Sequence, residues 1–220
     1  MYSLIFDTTA LNCSITLTKD DKLIDVFNKE MDFGHAEVLI PEIKNILKKN
    51  KVSFEKLSMV AVCVGPGSFT GVRTSIAAAR GFGLASKKLK VLGINAFEAY
   101  MESLDTKDLS KINAVIIETK RDDFYYQLFD DSKKKLIDAA AGTKEEILSQ
   151  LRNADKITFA GDGVERFLYQ PTGLSIHCVK TFNGIPIESL ARCALSKYKN
   201  KVLSNPNPLY LRSADVFVKN

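Results

Sequence analysis

The stretch Ser3–Thr9, SLIFDTT, returns in the second half of the chain as Ala114–Lys120, AVIIETK, with Asp7 and Glu118 separated by 111 positions. Each is a short apolar run closed by an acid and a threonine, the pattern of a buried strand running into a turn. Working outward, Cys13–Asp25, CSITLTKDDKLID, is answered by Tyr125–Asp138, YYQLFDDSKKKLID. Both read as hairpins around a charged turn, the first at Asp20-Asp21, and the tripeptide LID ends both. Val60–Gly67, VAVCVGPG, is answered by Ile157–Val164, ITFAGDGV, a strand followed by Gly-x-Gly in each case. Three features in the same order, over a distance far longer than a solenoid period, predict two related lobes. Each lobe begins with a three-strand meander and continues into strand–helix units.

The segments between these anchors fit an α/β class. The spacing predicts a helix over residues 35–49, a strand over 59–64, a long helix over 69–86 and a strand over 91–94. The polar stretch MESLDTKDLSK, Met101–Lys111, places a lobe boundary near residue 105, giving lobes 1–105 and 106–220. Two lobes of this kind, each a mixed sheet flanked by helices, describe the actin-like ATPase (ASKHA) fold of sugar kinases and heat-shock chaperones. That likeness is one of strand order alone.

Composition narrows the chemistry. The 220 residues carry a net charge of +5, which permits a nucleic-acid role without demanding one, and the lysine runs read as solvated faces. The four cysteines, Cys13, Cys63, Cys178 and Cys193, form no CxxC pair, and there are two histidines, so a zinc site is not expected. A reduced, cytoplasmic protein fits this cysteine usage. The opening MYSLIFDTT has neither a basic start nor a long apolar run, and no membrane span is expected.

In the actin-like fold the first hairpin usually carries Asp-x-Gly, where a bare backbone approaches the ATP phosphates. Here Asp7 is followed by Thr8 and Thr9, and the second-lobe counterpart, ETKRDD, also lacks glycine. Asp7 and Glu118 could pair as a catalytic site; carboxylates capping strand-end turns are the plainer reading. The loop GPGSFTGVR, Gly65–Arg73, fails the Walker pattern because Val72 follows Gly71, and it fails GxGxxG by one residue. It reads as a strand-to-helix turn with Ser68 as helix N-cap. Free N–H groups there could hold an anion, but nothing requires one. His35 reads as a helix-start histidine making a hydrogen bond, and His177 as structural. No catalytic, cofactor-binding or metal-ligating residue is assigned.

Two helices stand out. TGVRTSIAAARGFGLASKK is rich in small residues, and Gly81 and Gly83 lie in its interior, where glycine costs about 1 kcal/mol against alanine. That suggests close approach of another helix. HAEVLIPEIKNILKKN carries an apolar stripe widened by Val38, with Pro41 inside it predicting a kink or a late helix start. A partner surface and an ordinary core remain open from the pattern.

DTT followed by CS, the helix HAEVLIP, GPGSFTGVR and the late PLYLR, Pro208–Arg212, together resemble the TsaB (YeaZ) family, most strongly over residues 1–100. The resemblance implies a noncatalytic scaffold in the making of threonylcarbamoyladenosine, a modified base beside the tRNA anticodon. It implies a TsaD-like catalytic subunit as partner, a TsaE-like ATPase, a homodimer when alone, and tRNA contact made through the partner. TsaD carries a metal-binding His-x-x-x-His where this chain has INAFEAY, with Ala96 and Tyr100 in the histidine positions. Carried over from the family, the partner-binding face comprises Val38, Leu39, Glu42, Ile43 and Ile46 on the first helix and Arg73, Ile76, Ala77 and Arg80 on the second. Two competing readings are an ATP-dependent phosphotransferase and a metallopeptidase of the same fold acting alone.

Overall fold

The computed structural model describes residues 1–212. The first sheet contains β1 (Tyr2–Asp7), β2 (Asn12–Lys19), β3 (Lys22–Glu30), β4 (Leu57–Cys63) and β5 (Lys90–Ile94) in the order β3-β2-β1-β4-β5. The second contains β6 (Ile112–Glu118), β7 (Asp123–Phe129), β8 (Ala140–Thr143), β9 (Ile157–Gly161) and β10 (Ile176–Thr181) in the order β8-β7-β6-β9-β10. Each sheet is an antiparallel meander extended by two strands parallel to its first. The repeat read from the sequence is therefore a repeat of topology.

Among the described residues the α-helices are α1 (His35–Lys49), α2 (Phe69–Ala85), α3 (Ala96–Glu102), α4 (Lys144–Leu151), α5 (Val164–Leu168) and α6 (Ile187–Lys199). The hairpin between β2 and β3 turns at Asp20 and Asp21, whose φ values of 47° and 69° suit a two-residue primed turn. The α1 helix begins at His35, so Pro41 does not delay its start. The LID match is looser than it reads. Leu23 lies in β3, whereas Leu136 precedes β8 and joins the meander through its own N–H, donated to the Leu128 carbonyl at 2.8 Å.

Strand alternation sorts the apolar residues into three layers. Leu4 and Phe6 point to an outer core with Leu39, Ile43, Val72 and Ile76 beneath α1 and α2. Ala114 and Ile116 point to the other outer core, with Ile147, Leu151, Val164 and Phe167 of α4 and α5. The alternate residues, Ile5, Val115 and Ile117, face a central core filled by α3 and α6, where Phe97, Tyr100, Leu190 and Ala191 join the residues of both sheets. The chain after residue 185 thus returns to the first sheet: α6 packs on β1, β2, β4 and β5, and Gly93 N–H donates to the Ser204 carbonyl at 2.8 Å.

A shared central core couples the lobes energetically. Truncating Leu190, fully buried in it, to alanine should lower stability by about 2–5 kcal/mol. Amide exchange monitored in β4 and in β9 under rising urea should report one transition in both proteins; two separate transitions would show that the lobes unfold independently.

Candidate functional site

The loop after β4 is closed by the chain's own first turn. Ser68 N–H donates to the Thr9 carbonyl at 2.7 Å, and the Thr8 hydroxyl donates to the Gly71 carbonyl at 2.7 Å while lying 2.8 Å from Ser75 Oγ. A Cβ on Gly67 would lie 2.5 Å from the Thr9 carbonyl oxygen, and one on Gly71 would fall closer still to that of Thr8. The glycines of GPGSFTG admit the backbone of Thr8 and Thr9. Ser68 also caps α2, accepting the Gly71 N–H at 3.4 Å. Of the N–H groups at the helix start, those of Ser68 and Gly71 are spent on the Thr9 carbonyl and on Ser68 Oγ, and the contact of loop with turn is too close to admit a nucleotide phosphate between them.

In the second lobe the corresponding loop meets the end of the strand rather than the turn after it. Gly163 N–H donates to the Ile116 carbonyl at 3.1 Å, and Asp162 Oδ1 accepts the Glu118 N–H at 3.0 Å. The strand-end acids behave alike. Asp7 Oδ1 accepts the Thr9 N–H at 2.9 Å, and Glu118 Oε1 accepts the Lys120 N–H at 2.6 Å, so each carboxylate folds back onto the turn that follows it. Glu118 further holds the Arg166 guanidinium through two bonds of 2.7 Å. Burial disfavours its ionised form, but Arg166 and the turn amides outweigh that and hold its carboxyl below the usual range.

Between the lobes lies a buried polar seam. Burial pushes Asp7 up to about 6, against the pull of Thr9, and likewise pushes Asp162 up to about 6. Burial and then the two carboxyls raise the phenol of Tyr100 as well. Its buried hydroxyl meets no acceptor at full hydrogen-bond geometry; Asp162 is the acid that interacts with it. Cys63 Sγ completes the seam, accepting the Thr9 hydroxyl at 3.5 Å and the Gly65 N–H at 3.4 Å. Ala96 has no donor atom and Tyr100 is enclosed, so these two positions do not fit a metal site. Among the described residues no three His, Cys, Asp or Glu side chains gather to hold an ion.

The nine residues assigned to a partner face separate into three groups. Leu39, Ile43, Ile46 and Ile76 are at most 5% exposed and belong to the outer core of the first lobe, because the apolar stripe of each helix is the one that covers the sheet. They are unavailable at the surface. Arg73 and Arg80 are exposed but engaged within the chain: Arg73 Nε donates to Tyr210 Oη at 3.1 Å, and Arg80 Nη2 donates to the Pro206 carbonyl at 3.0 Å and Asn207 Oδ1 at 2.8 Å. Val38 and Glu42 are half-buried at the margin of α1, Val38 packing against the outer core, and Ala77 is exposed.

The outward face of α2 also includes residues that the sequence reading passed over: Phe69, and Leu84 at 88% exposure. The two interior glycines part company here. A Cβ on Gly83 would press on Val91 of β5 at 2.9 Å, whereas one on Gly81 would meet nothing within 4 Å. Gly81 is the readable signal, a residue with a helix penalty and no reason for it inside the monomer. His35, expected to make a hydrogen bond, has a buried Nε2 without a partner. His177 Nε2 does lie 3.1 Å from the Lys107 carbonyl.

Residues 29–196 match the family model described as TsaD: tRNA N6-adenosine threonylcarbamoyltransferase. Over 172 residues the chain is 30% identical to the tRNA threonylcarbamoyladenosine biosynthesis protein TsaB of Buchnera aphidicola subsp. Baizongia pistaciae, covering 74% of this chain and 76% of that protein. The chain belongs to the TsaB family. The TsaB of Escherichia coli K12 is 29% identical over 119 residues, 52% of this chain and 51% of that one. YeaZ from Pseudomonas aeruginosa superposes with a TM-score of 0.79 at 20% identity, covering 96% of this chain and 99% of that one. The activator of 2-hydroxyisocaproyl-CoA dehydratase from Clostridium difficile, solved with ADPNP, gives 0.50 at 8% identity over 92% and 97%. These last two establish the fold, which is that of the actin-like ATPases. Among the described residues no helix is long and apolar enough to cross a membrane.

Two predictions test this TsaB-family site. A carboxyl raised in the folded state favours folding while protonated; that contribution is whole below about pH 4 and is lost as pH rises through about 6, up to about 3 kcal/mol for Asp7. Asp7→Asn, which keeps the acceptor for Thr9, should therefore flatten the fall in urea midpoint between acid and neutral pH and be the more stable protein at neutral pH. The glycines should also split by position. Gly71→Ala should destabilise by about 3 kcal/mol or prevent folding, while Gly81→Ala should stabilise by roughly 0.5–1 kcal/mol. Urea melts of the two variants side by side check the contrast.

Proposed function

We propose that this chain is a noncatalytic scaffold of the machinery that attaches threonylcarbamoyl to the adenosine beside the tRNA anticodon. Family membership supplies the pathway. The observation that carries the noncatalytic reading is the occupation of the glycine loop by Thr8 and Thr9, with Asp7 and Glu118 committed to their own turns. Nothing in that geometry favours a phosphotransferase or a metallopeptidase acting alone.

Its partner is a TsaD-like catalytic subunit, engaged through the outward face of α2 and the adjoining flank of α1. Ala77, Gly81 and Leu84, with Val38 and Glu42 at the margin, form this face; the buried Leu39, Ile43, Ile46 and Ile76 support it from below. Arg73 and Arg80 border it while bound to the C-terminal segment. Small residues let a second helix come close, which accounts for the glycine at position 81. In the absence of the catalytic subunit the same face joins two copies of the chain. A TsaE-like ATPase completes the assembly, tRNA is contacted mainly by the catalytic subunit, and the complex works in the cytoplasm. A lobe division near residue 105, with the chain after 185 returning to the first lobe, is the organisation we propose.

Light scattering on a sizing column tests the reading, with the chain alone and then mixed with its TsaD-like partner. The expected result is a homodimer that exchanges into a one-to-one heterodimer. Gly81→Arg should abolish both species without lowering the melting temperature, because its side chain enters open space in the monomer. Unimpaired association of that variant would remove α2 from the interface. Micromolar ATP binding by the chain alone would overturn the noncatalytic reading.

A further inference from the structure

We propose that residues 204–212 form a detachable strap that seals the seam between the two lobes. The segment has no regular secondary structure, yet it is fixed at every step of its path. It begins on the first lobe, where the Ser204 carbonyl accepts the Gly93 N–H at 2.8 Å; a Cβ on Gly93 would stand 3.0 Å from both the Asn205 carbonyl oxygen and Pro206 Cα. Arg80 then grips Pro206 and Asn207. At the end of β4 the Leu209 N–H donates to the Val64 carbonyl at 2.8 Å. Arg73 holds the Tyr210 hydroxyl, and the Tyr210 ring meets that of Phe69 at 5.5 Å, with the Arg73 guanidinium 3.7 Å above Phe69. Leu211 packs onto the central core shared by both sheets, and Arg212 pairs with Asp123 at the start of β7 in the second lobe. The path therefore starts on one lobe, passes the glycine loop and ends on the other.

What lies beneath is the polar seam. Cys63 sits directly under the loop, its sulfur accepting the Gly65 N–H, and the Leu209 carbonyl oxygen passes within 3.3 Å of where a Gly65 Cβ would be. Asp7 and Tyr100 are each 1% exposed, and Leu211 of the strap packs onto the same central core that holds Tyr100. The strap has no strand pairing or helix of its own: two main-chain bonds, at Ser204 and Leu209, hold it, and the rest are side-chain contacts of Arg73, Arg80, Phe69, Leu211 and Arg212. Such a segment opens locally at far lower free energy than the sheets it covers. The two arginines that carry it also border the outward face of α2, which places the strap's anchorage at the edge of the surface proposed for docking.

The chain carries its own reporters. Cys63 and Cys13 are both fully buried, but Cys63 belongs to the central core and Cys13 to the outer core under α1 and α2. Native full-length protein is treated with N-ethylmaleimide, and labelling at each cysteine is followed by peptide mass spectrometry in wild type, Arg212→Ala, Leu211→Ala and Arg80→Ala. The expected result is Cys63 labelling accelerated by about tenfold or more in the variants, with Cys13 unchanged. A Cys63 rate that none of the variants moves would overturn the strap. So would Cys13 accelerating in parallel, because the variants would then be loosening the whole molecule.

Discussion

The contact on which the rest of the molecule depends is the one between the Thr8-Thr9 backbone and the glycines at positions 67 and 71. Two main chains approach so closely there that no Cβ can intervene. That approach fixes the entry of α2, because Ser68, the residue that caps the helix, is itself tied to Thr9. It fixes the side of α2 that meets the sheet, with Val72, Ile76 and Ala79 turned inward and Ala77 and Gly81 turned out. One close approach of two backbones thus orients the exposed helix.

The second feature is a core common to both sheets. In this chain α3 and α6 fill the space between the sheets with a common core, and the first and second sheets bury residues into the same cluster. The carboxyls of Asp7 and Asp162 remain in that buried seam although burial disfavours their ionised forms. A seam that tolerates this penalty is held by stronger interactions, chiefly the apolar packing around Phe97, Tyr100 and Leu190.

Much of this is legible in the sequence, and the reason is local. Strand, acid and threonine recur because both lobes use the same strand-end turn, and the β2–β3 hairpin and α1 announce themselves through turn chemistry and periodicity. The absence of glycine after Asp7 signals a changed phosphate loop. What cannot be read is direction and partnership at a distance. An amphipathic stripe says that one face of a helix is apolar; it does not say whether that face meets a sheet or a second protein, so Leu39, Ile43, Ile46 and Ile76 pass for surface residues although they lie within. Arg73 and Arg80 find their partners 137 and 126 residues away, in a segment without periodicity. The repeat of LID misleads for a different reason: three common residues match where the third strand of the meander has shifted.

The anchoring of α2 bears on the surface it exposes. A docking helix that must order itself on binding loses part of the contact energy to that ordering, whereas one already fixed from behind keeps it. Helix α2 is fixed from behind by its core face, at its start by Ser68 and the Thr8-Thr9 turn, and along one flank by the arginines bound to residues 206–210. Its outward surface is then free to carry residues suited to close approach rather than to helix stability, and Gly81 is such a residue. A glycine there weakens the isolated helix, and the surrounding anchors make that loss tolerable. The same anchors hold a defined surface in place: the loop after β4, closed by the Thr8-Thr9 turn, sets the direction of the helix that carries it.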